Sequence, residues 1–363
     1  MTHSRTSIGG SLRWLVAIAL ASTLVGVGAV QAATRPFGDA RVLARVPTPP
    51  GFPEGIAVSN NLVWVSGPAS LGTAGLGPSR VLLYHAASGT LLKNWPVAGE
   101  NLAAEHANSS LALDRLLRVY VLNTQLGIYR VTLAGQQQPY SAPFPDLKPC
   151  SQVAPPCSPT PFDAPALPND LAFDAAGNAY VTDSLQGTIW KVPPGGGQPQ
   201  IWFQDARLGF VSFGPNGIRL DPSRTKVYFT LTAEPGRAVV YTLPLVEHPS
   251  AASLTVFHEY TNGDYPDGIA FGRTGRLYVA IATPFGSGVS ILSPAGAEVA
   301  HLANHGNPIF PYDSPANIAF DGTGRMLVTN HALVTGVTNP AQFTVLDVWV
   351  DDAGSPLEMP LLP

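Results

Sequence analysis

The sequence predicts an all-β protein, a six-bladed β-propeller whose four-stranded antiparallel blades surround a central channel. Composition is the first indication, because 36 Gly and 36 Pro accompany 45% hydrophobic and only 12% charged residues, as in a turn-rich chain with a large core. The second is a strand–turn–strand motif that recurs six times at intervals near 50 residues, a period typical of propeller blades. In each copy a Gly, Asp or Asn turn separates a small apolar strand from a strand of aromatic and β-branched residues.

The repeat defines the blades one by one. Aligned on the apolar strand, successive copies are 55, 60, 47, 51 and 49 residues apart. Two further strands follow within a unit, as in GVSILSP and AEVAHLA after the fifth copy. We expect ARVLARV (40–46) and FTVLDVWV (343–350) to share the last blade and close the ring, so that 34–363 is one domain. The copies read PEGIAVSNNLVWVSG, NSSLALDRLLRVYVLNT, PNDLAFDAAGNAYVTDS, PNGIRLDPSRTKVYFTLT, YPDGIAFGRTGRLYVA and PANIAFDGTGRMLVTNH.

Residues 1–33 differ from the rest and predict a secretory signal peptide. Arg5 and Arg13 precede an apolar run, and Val30-Gln31-Ala32 offers small residues where a signal peptidase cuts, so we expect cleavage after Ala32. A retained membrane anchor is the alternative, but the run is shorter than the roughly 20 residues that a span needs. The prediction is a secreted or periplasmic protein with no stable membrane association after cleavage.

The two cysteines, Cys150 and Cys157, lie in the Pro-rich stretch KPCSQVAPPCSP. In an oxidising compartment a disulfide that closes this short loop is the simplest interpretation. The net charge of −4 and the absence of Lys or Arg runs exclude nucleic acid as a partner on electrostatic grounds. We expect a monomer that acts on a small molecule.

Each copy has one position that we expect to reach the channel axis. It lies two residues before the residue of the apolar strand on which the copies are aligned. Two carboxylates and two amide oxygens meeting there form a hard, all-oxygen ligand set that suits Ca²⁺, although another divalent cation is possible. Turn formation is the alternative for any single Asn or Asp, but it does not explain a Glu before Gly55. The six residues are Glu54, Ser109, Asn169, Asn216, Asp267 and Ala316.

A cation at the channel mouth would polarise a carbonyl group, and a carboxylate beside it would act as general base for water. Asp267 is the preferred base because its side chain is shorter than that of Glu54. Asn169, also a candidate ligand, is expected to contact substrate together with Ser109, Asp183 and His331; a histidine at a strand end is otherwise a hydrogen-bonded structural residue. The loops at 67–79 and about 141–166 should border the same pocket, either as lids or as rigid surface excursions.

Four of the motifs, PEGIAV, PNDLAFDAAGNAYVTDS, PNGIRLD and PDGIAF in that order, resemble the senescence marker protein (regucalcin)/gluconolactonase family of six-bladed propellers. Diisopropylfluorophosphatase and the paraoxonases are more distant relatives. The resemblance implies that Glu54, Asn216 and Asp267 hold one divalent ion with Asn169 beside them, and that Asp267 is the base. Where sugar-lactone hydrolases of the family commonly place an Arg, this chain has Leu167, which favours a more apolar lactone or ester.

The function predicted from the sequence is an exported, calcium-dependent hydrolase of the lactonase/arylesterase type. The alternative is a non-catalytic secreted propeller that binds a ligand or protein partner around a structural calcium ion, since blade repetition alone does not determine function. A strictosidine-synthase-like lyase is a third possibility, although that family typically lacks the acidic metal set. No G-x-S-x-G, P-loop or H-E-x-x-H motif is present in the sequence.

Overall fold

The computed structural model describes residues 35–209, 213–234 and 237–363, and the predicted signal peptide lies outside them, at 1–33. The described strands form six four-stranded antiparallel sheets, which confirms the six-bladed propeller. Blades 1 to 5 are β2–β5, β6–β9, β10–β13, β14–β17 and β18–β21, and blade 6 is β22, β23, β24 and β1.

The strands have the following bounds. Blades 1 to 3 comprise β2 (Ile56–Ser59), β3 (Leu62–Gly67), β4 (Arg80–His85), β5 (Leu91–Pro96), β6 (Asn108–Leu113), β7 (Val119–Asn123), β8 (Gly127–Val131), β9 (Gln137–Pro139), β10 (Pro168–Phe173), β11 (Ala179–Asp183), β12 (Thr188–Val192) and β13 (Gln200–Gln204). Blades 4 to 6 comprise β14 (Phe213–Leu220), β15 (Lys226–Glu234), β16 (Arg237–Pro244), β17 (Thr255–Tyr260), β18 (Pro266–Phe271), β19 (Leu277–Ile281), β20 (Gly288–Leu292), β21 (Glu298–Ala303), β22 (Pro315–Phe320), β23 (Arg325–Asn330), β24 (Thr344–Trp349) and β1 (Ala40–Arg45). Single 3₁₀ turns lie at Ala206–Leu208, Ala251–Ser253 and Pro340–Gln342.

The ring closes where the sequence predicted. The N-terminal strand β1 pairs antiparallel with the C-terminal strand β24, with Ala40 opposite Val348 and Arg45 opposite Thr344. The first strand of the chain is therefore the outermost strand of the last blade. Because it joins the two ends of the chain, this pairing holds the circular arrangement of blades together.

The core lies between neighbouring blades, where sheet faces pack on each other. Second strands such as β7 and β11 are buried at every position, as expected for the middle of a sheet covered on both faces. Between blades 3 and 4, Tyr180, Trp202 and Phe229 are all at most 6% exposed and belong to one apolar cluster. Aromatic and β-branched side chains of this size fill the wedge-shaped space between twisted sheets.

A β-bulge in the first strand of five blades explains why the channel-facing side chains point where they do. In blade 3, Pro168 lies opposite Asp183 and Leu171 opposite Val181, so Asn169 and Asp170 share a place that regular pairing would give to one residue. The same shift occurs in blades 2, 4, 5 and 6. A bulge re-aims side chains beside it, and here it brings two successive residues to the axis.

Hydroxyl groups of second strands donate hydrogen bonds to the backbone carbonyls of axial residues in the next blade. Thr230 Oγ1 donates to the Asp267 carbonyl at 2.8 Å, and Thr329 Oγ1 donates to the Glu54 carbonyl at 2.7 Å across the closure of the ring. Ser66 and Thr182 likewise donate to the carbonyls of Ser109 and Asn216. The backbone at four of the six axial positions is therefore fixed by the preceding blade.

The first strands approach one another so closely at the axis that the position after three of the axial residues requires glycine. A Cβ on Gly268 would lie 2.5 Å from both the Ala316 carbonyl oxygen and the Asn317 side chain, and one on Gly55 would lie 2.7 Å from the Leu111 nitrogen. Such distances leave no room for a methyl group. The glycine that follows Glu54, Asn216 and Asp267 in the repeat is thus a packing requirement.

The space left by these glycines holds a buried polar network that the sequence analysis did not foresee. Arg219 donates from Nη1 to Asp170 Oδ2 at 2.6 Å and from Nη2 to Asn317 Oδ1 at 3.0 Å. Asn317 Nδ2 continues to Ser110 Oγ at 3.3 Å. Asp170, Arg219 and Asn317 are 0%, 6% and 1% exposed, so side chains from blades 2, 3, 4 and 6 meet in the middle of the channel.

Cys150 and Cys157 form the predicted disulfide. The loop that carries them is attached to blade 3, because Gln204 Nε2 donates to the Cys157 carbonyl at 3.0 Å and Ser158 Oγ donates to the Gln186 carbonyl at 3.0 Å. Among the described residues no helix is long and apolar enough to cross a membrane.

Replacing Thr329 with Val should lower the free energy of unfolding by about 2 kcal/mol, because it leaves the buried Glu54 carbonyl without its donor at the ring closure. Denaturant unfolding measures the change. Thr261→Val, at an exposed position just after outer strand β17, is the matched control and should change stability by less than about 0.5 kcal/mol. Equal losses in the two variants would contradict a special role for the hydroxyl of Thr329.

Replacing Arg219 with Met should destabilise the fold by about 3–5 kcal/mol, because Asp170 would remain buried without its ion-pair partner. The double variant Asp170→Asn/Arg219→Met removes both charges and should recover most of that loss. Chemical denaturation of the three proteins tests this. A double variant that is less stable than Arg219→Met alone would show that the ion pair is not the source of the effect.

Candidate metal and active site

The six axial residues lie at one end of the channel, where each first strand begins. Glu54, Asn169 and Asn216 are 5%, 7% and 2% exposed. Asp267 differs from them, since it is half-buried. Among the four candidate ligands, Asp267 is therefore the most exposed.

Three oxygen atoms at this end of the channel are buried but accept no hydrogen bond from the described residues. They are Asn169 Oδ1, Asn216 Oδ1 and Asp267 Oδ1. Native structures rarely leave a buried oxygen unpaired, and each such atom calls for an unseen partner. Carboxylate and amide oxygens that share this property fit a divalent cation, which would accept electron pairs from all of them.

The orientation of the Asn216 amide follows from its neighbours. Thr232 Oγ1 donates its hydrogen to the Pro266 carbonyl at 2.8 Å, so it can only accept from Asn216, whose Nδ2 lies 2.8 Å away. The amide nitrogen must therefore face Thr232. Asn216 Oδ1 is left to face the channel, as a cation ligand requires.

The electrostatics of the two carboxyl groups also fit a cation. Burial, followed by repulsion from Asp170, raises the pKa of Glu54 to about 8. Burial, followed by repulsion from Glu54 and then Asp170, raises the pKa of Asp267 well above its usual range. Carboxyl groups collected in one dry place resist ionising together, and a bound divalent cation would offset both the burial and the repulsion.

His331 lies directly against this group. Its Nδ1 is 3.2 Å from Glu54 Oε2, and its ring forms a hydrogen bond with the Pro53 carbonyl. Burial lowers the pKa of His331 to about 4, so the imidazole is neutral at physiological pH. The ring of Phe52 packs on it with a centroid separation of 5.4 Å. His331 thus lies beside Glu54 without a hydrogen bond from Nδ1 to a described residue, and its predicted contact with substrate remains a prediction.

The sequence analysis also predicted Ser109 and Asp183 in the substrate pocket. In the structure both side chains form hydrogen bonds within the protein. Ser109 Oγ donates to the Pro168 carbonyl at 2.6 Å. Asp183 is fully buried, and its oxygens accept hydrogen bonds from Leu167, Leu185 and Gln186 N–H and from the Trp190 indole. Burial nevertheless raises the pKa of Asp183 to about 6. Asp183 organises the turn after β11, and the substrate contacts predicted for Ser109 and Asp183 remain predictions.

Two features next to the axial residues went unrecognised in the sequence. Asp170 and Arg219 are charged residues inside otherwise apolar first strands, PNDLAF and PNGIRL. A charged residue within a buried apolar strand needs a partner of opposite charge. The two residues could therefore have been predicted from the sequence to pair with each other. Their pairing also matters for the site, since the Asp170 carboxylate is one cause of the raised pKa values of Glu54 and Asp267.

Solved structures share this architecture at low sequence identity. A calcium-binding protein, regucalcin, from Agrobacterium tumefaciens matches with a TM-score of 0.62 at 17% identity, over 90% of this chain and 98% of that chain. A gluconolactonase from Xanthomonas campestris matches with a TM-score of 0.56 at 16% identity, over 87% and 99%. A luciferin-regenerating enzyme matches with a TM-score of 0.58 at 13% identity, over 89% and 100%. At such low sequence identities, these matches show only that the folds are similar.

No curated protein matches the sequence. The model of the family described as SMP-30/Gluconolactonase/LRE-like region does match, over residues 151–332. That half of the chain contains the motifs of Asn169, Asn216 and Asp267 as well as His331. The chain belongs to the SMP-30/gluconolactonase/LRE-like family.

Proposed function

We propose that this protein is a calcium-dependent hydrolase of lactones or esters, with its reaction centre at the axial end of the channel defined by Glu54, Asn169, Asn216 and Asp267. The observation that carries the proposal is the set of three buried oxygens without partners beside carboxyl groups of raised pKa. The family includes gluconolactonase by name, which supports a lactone as substrate. Export rests on the signal peptide predicted at 1–33.

The ligand set favours Ca²⁺ because calcium accepts six to eight oxygen ligands in flexible geometry and leaves room for water. When bound, the cation would stabilise the charged form of the carboxylates, polarise the substrate carbonyl and stabilise the oxyanion. The donors fixed by the fold would be Glu54, Asn169, Asn216 and Asp267. Because Ser109 and Ala316 offer no strong ligand, water or substrate would complete the coordination.

Asp267 would take a proton from the attacking water. It is the more exposed of the two axial carboxylates, and its backbone carbonyl accepts a hydrogen bond from Thr230 Oγ1. A base held rigidly within reach of the reacting water is the geometric requirement for general base catalysis. Asn169 would orient the substrate from the neighbouring blade.

The loops at the same end of the channel favour a substrate with an apolar part. Leu167 is half-buried two residues before Asn169, where a polyhydroxylated substrate would call for a polar side chain. Other large apolar side chains on these loops are more than one-third exposed, and such side chains line sites for apolar ligands. They are Leu71, Leu76, Phe162, Tyr265, Phe285, Phe310 and Leu333.

Asp267→Asn should reduce kcat/KM for lactones or aryl esters by at least about a thousand-fold, because the amide cannot accept the proton of the attacking water. Removing Ca²⁺ with a chelator should abolish turnover of the wild-type protein, and added Ca²⁺ should restore it. The measurement is a hydrolysis assay on a panel of lactones and aryl esters, with melting temperatures recorded in the same samples.

Asp163→Asn is the matched control, since Asp163 lies on a loop at the same end of the channel and pairs only with Lys148 at the surface; its activity should be unchanged. Full activity in Asp267→Asn would refute the mechanism. Thermal stabilisation by Ca²⁺ without turnover of any substrate would instead identify a binding scaffold with a structural ion.

A further inference from the structure

A cavity lies at the other end of the channel, away from the metal-binding group. It encloses about 320 Å³, within the range of small-molecule sites. The far halves of all six first strands line it, with apolar side chains such as Val58, Leu113, Phe173 and Phe271. It is therefore an apolar chamber on the propeller axis, formed by every blade.

The Arg219 network separates this chamber from the metal-binding end. Asp170, Arg219 and Asn317 are joined by hydrogen bonds across the axis, and Arg219 also forms part of the chamber wall. Since these side chains are at most 6% exposed, a ligand in the chamber would not reach Asp267. The two ends of the channel are distinct compartments.

The C-terminal segment crosses the outer side of the chamber, and residues 354–359 form part of its lining. The segment is fixed on blade 5 by the hydrogen bond from Ser355 N to the Phe271 carbonyl at 2.8 Å, and on blade 2 by that from Arg115 N to the Pro360 carbonyl at 3.1 Å. Between them Arg224 Nε donates to Glu358 Oε1 at 2.5 Å. The chain thus continues past the last strand of the propeller and covers this end of the channel.

The charges around the chamber are balanced except for one. Arg219 pairs with Asp170 and Arg224 with Glu358, while the lining residue Asp321 pairs with Arg325. Arg273 also lines the chamber, is exposed, and its guanidinium has no partner among the residues that the structure describes. An apolar wall with one free guanidinium at its edge suits a ligand with an apolar body and one anionic group.

We propose that this chamber is a second ligand site, which binds a small monocarboxylate with an apolar chain or ring and holds its carboxylate at Arg273. The site is independent of the metal-binding end and of the hydrolytic reaction assigned to it. Its specificity comes from two features: the six apolar strands select the body of the ligand, and Arg273 selects its charge.

Calorimetric titration of the purified chain with octanoate tests the proposal, with octanol as the uncharged probe of equal chain length. Octanoate should bind with one molecule per chain, and octanol at least about ten-fold more weakly, as expected for loss of a charge-assisted hydrogen bond. Arg273→Gln should weaken octanoate about ten-fold and Arg273→Glu further. Because Arg273 is exposed and its backbone bond to Ala353 is kept, both variants should fold.

Arg115→Gln is the matched control, because Arg115 lies at the same end of the propeller outside the chamber, and it should bind octanoate like the wild type. The titration should give the same affinity with chelator and in Asp267→Asn, which separates it from any carboxylate bound at the metal end. The proposal is overturned if octanoate gives no binding up to about 10 mM, a range that detects dissociation constants near 1 mM. It is also overturned if chelation abolishes binding or if Arg273→Gln and Arg115→Gln behave alike.

Discussion

The scarcity of space on the propeller axis is the constraint on which the rest of the structure depends. Six first strands converge there, and a single methyl group on Gly268 or Gly55 would collide with the next blade. Only a few side chains fit on the axis. The polar ones among them must therefore find their hydrogen-bond or ion-pair partners within this small group or in a bound ligand. The bulge in five of the six first strands decides which residues these are, because it turns two consecutive positions inward instead of one.

The polar side chains on the axis fall into two groups, which differ in whether they find hydrogen-bond and ion-pair partners within the protein. In the middle of the channel Asp170 has an internal cation, Arg219, and Asn317 completes the network. At the mouth, Glu54 and Asp267 have no arginine or lysine between them, and three oxygens remain unpaired in the described structure. The first arrangement is closed and structural. The second has the oxygen ligands that a divalent cation requires, and the proposed function rests on it.

Much of this could be predicted from the sequence because the repeat carries the information. The six motifs gave the blades, the pairing of 40–46 with 343–350 gave the closure, and two cysteines in one short loop gave the disulfide. Alignment of the motifs also placed the candidate ligands at one equivalent position of each blade, and their role as metal ligands remains a prediction. All of these depend on local patterns, or on a register shared by every copy.

The sequence analysis missed what depends on contacts between particular blades. The ion pair of Asp170 and Arg219 joins neighbouring blades through a bulge that periodicity does not reveal. Asp183 is buried with four donors on its oxygens, two from its own turn, one from Leu167 and one from the Trp190 indole, and the last two come from contacts that the local pattern does not show. The segment after Trp349 has no strand period, and its course across the channel follows from individual contacts such as that of Arg224 with Glu358.

The most direct test of the account is a diffraction measurement on crystals grown with a lanthanide in place of calcium, since a lanthanide takes similar oxygen ligands and scatters anomalously. The account predicts one strong anomalous peak on the axis, at about 2.3–2.6 Å from oxygens of Glu54, Asn169, Asn216 and Asp267. A map without a peak among these residues, or with its only peak elsewhere on the chain, would contradict it.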